Sequence, residues 1–102
     1  MRLWIEPPAL KELKQLPGAS RAKVRHAINA LAKNPRPSKS IPLTPPLEFT
    51  ANRPNIEPRR LSLGKWRVIY VIDDPWQTIG VLAIRKRPPY DYDDLAELLS
   101  DW

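Results

Sequence analysis

An α+β fold, a small antiparallel sheet covered by an N-terminal helical hairpin, is predicted by three observations. Two strand-like runs dense in β-branched and aromatic residues, Trp66–Ile72 and Gln77–Arg85, are joined by the turn residues Asp73-Asp74-Pro75. Two stretches with helical apolar spacing precede them, separated by Pro17-Gly18. The 13 prolines cluster at the boundaries of these segments, where they mark loops and helix ends.

The elements follow in order. Leu3-Trp4-Ile5 is a short first strand stopped by Pro7-Pro8, and proline suits the first turn of the helix that follows. Ala9, Leu10, Leu13 and Leu16 give that helix its apolar stripe. A second helix runs from about Ala19 to Lys33, with Val24, Ala27, Ile28 and Leu31 on one face, and Asn34-Pro35-Arg36-Pro37 ends it. Residues 35–57 are proline-rich without periodicity and read as a long loop, with Ile41, Leu43, Leu47 and Phe49 available for packing. Arg59–Leu63, Trp66–Ile72 and Gln77–Arg85 are then three strands with short connections, hence antiparallel neighbours. Leu95, Leu98 and Leu99 give a last helix over about Tyr92–Leu99, with Asp93 and Asp94 favourable in its first turn. The predicted order is β-α-α-β-β-β-α in one domain spanning residues 1–102.

Composition bounds the function. At 102 residues with 42% hydrophobic and 27% charged content the chain can build one core and is not a disordered polymer. It has no cysteine, so neither disulfides nor thiolate zinc sites are available. No segment reads as a signal peptide, and none approaches the roughly 20 apolar residues of a membrane span. A cytoplasmic protein without a membrane partner is expected. The net charge of +6 is uneven: Asp91, Asp93, Asp94, Glu97 and Asp101 make residues 91–102 acidic, so the preceding body carries +11. A basic body attracts phosphate backbones, and RNA is the first candidate.

The cations sit at particular places. Arg59-Arg60 begins one strand, Gly64-Lys65 and Arg67 flank the next turn, and Arg85-Lys86-Arg87 ends the last strand. If those strands pair, arginines from separate parts of the chain meet at one end of a rigid sheet. The only histidine, His26, lies off the apolar stripe of its helix and is expected on the surface. Tyr70, Trp4 and Trp66 read as core, whereas Trp76 beside Pro75 reads as an exposed turn residue. No acidic or histidine cluster has metal-ligand spacing, so no metal or other cofactor is implied.

The pattern Arg60-Leu61-Ser62-Leu63-Gly64-Lys65-Trp66-Arg67-Val68-Ile69-Tyr70, followed by Val81-Leu82-Ala83-Ile84-Arg85-Lys86-Arg87 and a nearby tyrosine, resembles the RelE/ParE superfamily of type II toxins. Leu13-Lys14-Gln15-Leu16-Pro17 and Asn34-Pro35-Arg36-Pro37-Ser38 are similar to that family too. The segment before Arg59 is longer than the usual link, and Ser62 stands where a basic residue is common. RelE-like members are metal-free endoribonucleases that cut messenger RNA on the ribosome. ParE-like members share the fold but inhibit DNA gyrase. The resemblance further implies a small cognate antitoxin that covers or distorts the basic site, with Leu95, Leu98 and Leu99 near its path.

Cleavage of RNA by its own 2′-hydroxyl needs a base, charge stabilisation on the phosphate and a proton donor for the 5′-oxygen, and leaves a 2′,3′-cyclic phosphate. Arg60 and Arg67 match family positions that stabilise the phosphate, and Arg87 matches a third cation serving as stabiliser or donor. Arginine suits this task because its fork engages two phosphate oxygens at once. Tyr90 is the first candidate for the base and Tyr92 the alternate, since neighbouring cations favour a phenolate. Lys86 is a further acid–base candidate, although alternation turns it away from Arg85 and Arg87. Arg59, Lys65, Arg85 and Tyr92 are candidates for RNA contact. Two other readings fit a basic sheet: a gyrase inhibitor of the same fold, and a non-enzymatic nucleic-acid-binding module.

Overall fold

Alternating apolar residues in the C-terminal half build the sheet on which everything else rests. The computed structural model describes residues 1–100 and 102. Its elements are β1 (Arg2–Ile5), α1 (Pro7–Lys14), α2 (Gly18–Leu31), β2 (Ser40–Pro42), α3 (Leu47–Asn52), β3 (Ile56–Leu63), β4 (Trp66–Asp73), β5 (Thr78–Lys86) and α4 (Leu95–Ser100). The five-stranded sheet has the order β1-β5-β4-β3-β2. β1 runs parallel to β5, and every other pair is antiparallel.

The sheet is covered on both faces. Leu61, Leu63, Val68, Tyr70, Ile72, Ile79, Val81 and Ile84 pack against Ala9, Leu13, Leu16, Val24, Ile28 and Leu31 of the α1–α2 hairpin. The opposite face carries Ile69, Val71, Leu82 and Ala83, which Leu95 and Leu99 of α4 bury. A bulge reconciles the two sets: Ile69 pairs with Ala83 but Tyr70 with Val81, so Leu82 is an extra residue. That insertion shifts the alternation and lets both Val81 and Ile84 face the hairpin.

The α+β class and the helical hairpin are as the sequence predicts. The segment 35–57 holds more structure than expected. Ser40–Pro42 pairs with Leu61, Arg60 and Arg59 to form the sheet's other edge, where Pro42 is tolerated because its outer side needs no ladder bond. Pro46 then leads into α3, which sends Phe49 onto the α4 face. The last helix begins at Leu95 rather than Tyr92, because Tyr92 has φ +67, outside the helical region. Trp4 is not core: it is 53% exposed, since β1 is an edge strand and Trp4 points away from the helical hairpin's core. Tyr70 is buried as expected, its hydroxyl donating to Pro35 O at 2.7 Å. Of the acidic tail, Asp94 folds back onto a cation while Asp91 and Asp93 are exposed; Asp101 lies outside the described residues. Among the described residues no helix is long and apolar enough to cross a membrane.

Candidate active site

Strand register gathers the arginines. Gly64, at φ +59, closes the β3–β4 turn in a conformation that glycine adopts without strain. The turn sets Ser62 opposite Arg67, and β5 sets Arg85 opposite Arg67. Arg60, Ser62, Arg67 and Arg85 therefore share the α4 face at the end of the sheet nearest this turn. Arg87 follows just beyond β5, tied to the turn by its N–H donating to Lys65 O at 2.8 Å.

Tyr92 is the centre of this group. The Arg60 guanidinium carbon lies 5.7 Å from its ring centroid and that of Arg87 5.4 Å. Arg60 Nη1 also approaches the Tyr92 hydroxyl at 3.4 Å and donates to Ser62 Oγ at 3.2 Å. The left-handed backbone at Tyr92 costs about 1 kcal/mol, and such strain concentrates at functional sites. Arg67 curls toward the turn, donating from Nη1 to Gly64 O at 2.6 Å and Trp66 O at 3.0 Å. Its Nε–H is buried with no acceptor among the described residues, an arrangement that costs about 1–3 kcal/mol. Among the described residues Arg60, Arg67 and Arg87 have no carboxylate partner.

Tyr90 faces a carboxylate and Arg85 rather than Arg60 and Arg87. Its ring packs edge-on against Tyr92, with centroids 4.7 Å apart, and Arg85 stands over it at 5.7 Å. Its hydroxyl donates to Asp94 Oδ1 at 2.6 Å. Burial first, and then Asp94, push the phenol well above its ordinary range, outweighing Arg85. Donation to Asp94 disfavours the Tyr90 phenolate. Arg85 is itself committed to Glu12 and to Asp94, the latter at 3.3 Å. It orders the tyrosines rather than presenting a free cation.

Three more candidates fall outside the cluster. Arg59 belongs to the opposite face: it is 8% exposed, paired with Glu57 and bonded to Ser40 Oγ at 3.0 Å through Nη2. Alternation along β3 forces this, so Arg59 is buried among Glu57 and Ser40 and does not share the face of Arg60. Lys86, opposite Trp66, is exposed on the hairpin side, turned away from the cluster as alternation requires. Lys65 sits exposed in the turn with its ammonium 5.7 Å from the Trp66 ring. His26 is exposed on α2 and takes no part. Sequence reasoning missed Ser62, Asp94 and Glu12 as partners of these residues. The Tyr90–Asp94 spacing of four was a usable signal, whereas nothing local connects Glu12 to Arg85 across the fold.

Fold and site together define a small basic α+β domain with arginines gathered on one face of its sheet, and comparison with known proteins gives the class. Residues 4–88 match the family model described as the ParE toxin of type II toxin-antitoxin system. The chain belongs to this family, and it is a toxin of a type II toxin–antitoxin system within the RelE/ParE superfamily. Solved structures share the fold. RelE of the archaeal RelE–RelB complex from Pyrococcus horikoshii OT3 is 24% identical with a TM-score of 0.71, over 87% of this chain and 97% of that one. The RelBE2 toxin–antitoxin complex from Mycobacterium tuberculosis gives 23% and 0.66, over 84% of this chain and 96% of that one. The isolated E. coli RelE toxin gives 18% and 0.64, over 98% and 96%. No curated protein matches the chain significantly.

Proposed function

We propose that this toxin is an endoribonuclease that cuts messenger RNA on the ribosome and is neutralised by a cognate antitoxin. The observation that carries the reading is that Arg60 and Arg87 both stand against the Tyr92 ring without a carboxylate partner among the described residues, with Arg67 on the same face of the sheet. Guanidiniums gathered on one face without carboxylate partners repel one another unless an anion joins them. A scissile phosphodiester is such an anion.

In this mechanism Arg60 and Arg67 bind the non-bridging phosphate oxygens and stabilise the charge that grows on them. Tyr92 is the general base that takes the proton of the 2′-hydroxyl. The 2′-oxygen then forms a bond to phosphorus as the bond to the 5′-oxygen breaks, and Arg87 stabilises or protonates that leaving oxygen. The products are a 2′,3′-cyclic phosphate and a 5′-hydroxyl. Tyr90 positions Tyr92 by packing edge-on against it, and Arg85 in turn stands over Tyr90. Lys65, exposed beside Arg87, contributes a further phosphate contact. A ribosomal target implies a cytoplasmic protein.

The antitoxin part rests on the family and on relatives whose structures are toxin–antitoxin complexes. A small acidic-segment protein encoded beside the toxin is the expected partner. A gyrase-directed inhibitor is the second reading, because the matching family model is that of ParE. It requires a protein-binding surface and no catalytic cations. Induced expression of wild type and Arg67→Ala, with messenger RNA ends mapped in each, separates the two. Codon-phased cuts present only in the wild type support the nuclease; intact transcripts with a DNA-damage response support the gyrase inhibitor.

A further inference from the structure

The end of the sheet remote from the arginine cluster carries a feature the nuclease does not use. A cleft of about 790 Å³ lies there, lined by Trp4, Trp76 and Trp102 with Arg2, Arg53 and Asp73. Trp4 is 53% exposed and Trp76 68% exposed. Two large aromatic faces left in water beside one cavity are what a protein-binding anchor site presents before its partner arrives.

The strand bordering the cleft is open. β1 pairs only with β5, and Arg2 N–H to Gln77 O at 2.8 Å and Glu6 N–H to Val81 O at 2.9 Å turn the even-numbered residues toward that neighbour. The N–H and C=O groups of Leu3 and Ile5 face the other way, and no backbone group among the described residues pairs with them. An unpaired edge is a template for one more strand.

Charge narrows the occupant. Arg2 donates to Trp76 O at 2.8 Å and Arg53 to Trp102 O, and neither has an Asp or Glu partner among the described residues. Asp73 is internally satisfied, its two oxygens accepting from Trp76 N–H at 3.1 Å and Trp102 Nε1–H at 2.8 Å. Two guanidiniums with no carboxylate partner among the described residues favour an acidic ligand. A nucleic acid offers no backbone array to match Leu3 and Ile5.

We propose that the cleft and the β1 edge dock an extended, acidic segment of the antitoxin, which pairs with β1 and seats an apolar side chain between Trp4 and Trp76. Its acidic side chains meet Arg2 and Arg53. The site is distinct from the arginine cluster: Asp73 and Arg67 are six residues apart on β4, roughly 20 Å. This rests on the antitoxin part of the proposed function and not on its nuclease part.

The test uses the full toxin and the antitoxin encoded beside it. Calorimetric titration of Trp4→Ala/Trp76→Ala should show affinity at least about 30-fold weaker than wild type, the usual effect of losing an aromatic anchor. Messenger RNA cleavage by the free variant should be unchanged. Amide exchange of Leu3 and Ile5 in the wild-type toxin should slow in the complex, which covers the case of a variant that does not fold. Unchanged affinity in a folded variant, or unprotected β1 amides in the saturated complex, overturns the proposal. Selective loss of binding to a short oligouridine, with antitoxin affinity intact, overturns it in favour of an RNA site. Failure of the nuclease reading is a separate result, seen as wild-type toxin that leaves messenger RNA whole.

Discussion

Arg59 and Arg60 are consecutive in β3, yet their side chains belong to opposite faces of the sheet. Arg59 is buried with Glu57 and Ser40, whereas Arg60 stands against Tyr92 and Ser62. The pleat alone separates a cation that holds the fold from one that faces the proposed substrate. Arg59→Ala should therefore cost about 2 kcal/mol of stability, a fall of roughly 10 °C in Tm, because charged hydrogen bonds on a buried group are lost. Arg60→Ala should change stability by about 1 kcal/mol or less but cut messenger RNA cleavage by about 100-fold or more. Thermal melts and cleavage rates of the two variants check this directly.

The tyrosines should separate in the same way. Tyr92→Phe removes the hydroxyl beside Arg60 and should lower the cleavage rate by about 100-fold, the scale of losing a positioned proton acceptor. Tyr90→Phe removes only the donor to Asp94 and should cost less than about 10-fold. Single-turnover cleavage distinguishes them; equal losses would show that Tyr90 has a direct role.

Gly80 matters for what lies on it. A Cβ at this position would run into the Trp102 ring, whose Nε1–H donates to Asp73 Oδ2 at 2.8 Å. Gly80→Ala should destabilise the protein by about 1–3 kcal/mol through overpacking. Combined with Trp102→Ala, the second substitution should cost less than it does alone, because the clash is gone. A double-mutant cycle by denaturant unfolding measures that coupling.

Glu57 sets a pH dependence. Burial, the strongest single influence, opposes its ionisation, but hydrogen bonds from Arg36 and Arg59 outweigh it and hold the carboxyl below its ordinary value. A carboxyl depressed in the folded state stabilises fully above its unfolded value of about 4.3 and loses that contribution as pH falls through the folded one. Glu57→Gln should be less stable than wild type near neutrality, and the difference should shrink below about pH 4. Tm measured against pH for both proteins tests the sign.

The helical hairpin, the three long strands and the exposure of Trp76 were legible in the sequence because each rests on local periodicity or turn chemistry. β2 was not, since Ser40-Ile41-Pro42 is too short to show alternation and becomes a strand only by pairing with β3. Trp4 was misread because an apolar strand residue looks the same whether its strand is central or at an edge. That Arg60 and Arg67 share one face at this end of the sheet followed from strand pairing and could be foreseen. That Tyr92 rather than Tyr90 stands against Arg60 and Arg87 could not, because it turns on one left-handed residue and on a carboxylate that captures the other hydroxyl.

The central claim is that three arginines and Tyr92 form a phosphodiester-cleaving site. The most direct measurement incubates purified toxin with ribosomes carrying a defined messenger and determines the chemistry of the new 3′ ends. Wild type should produce 2′,3′-cyclic phosphates at the decoding position, and Arg67→Ala and Tyr92→Phe should produce few or none. Intact messenger with wild-type toxin, alongside inhibition of gyrase supercoiling by the same preparation, would contradict it.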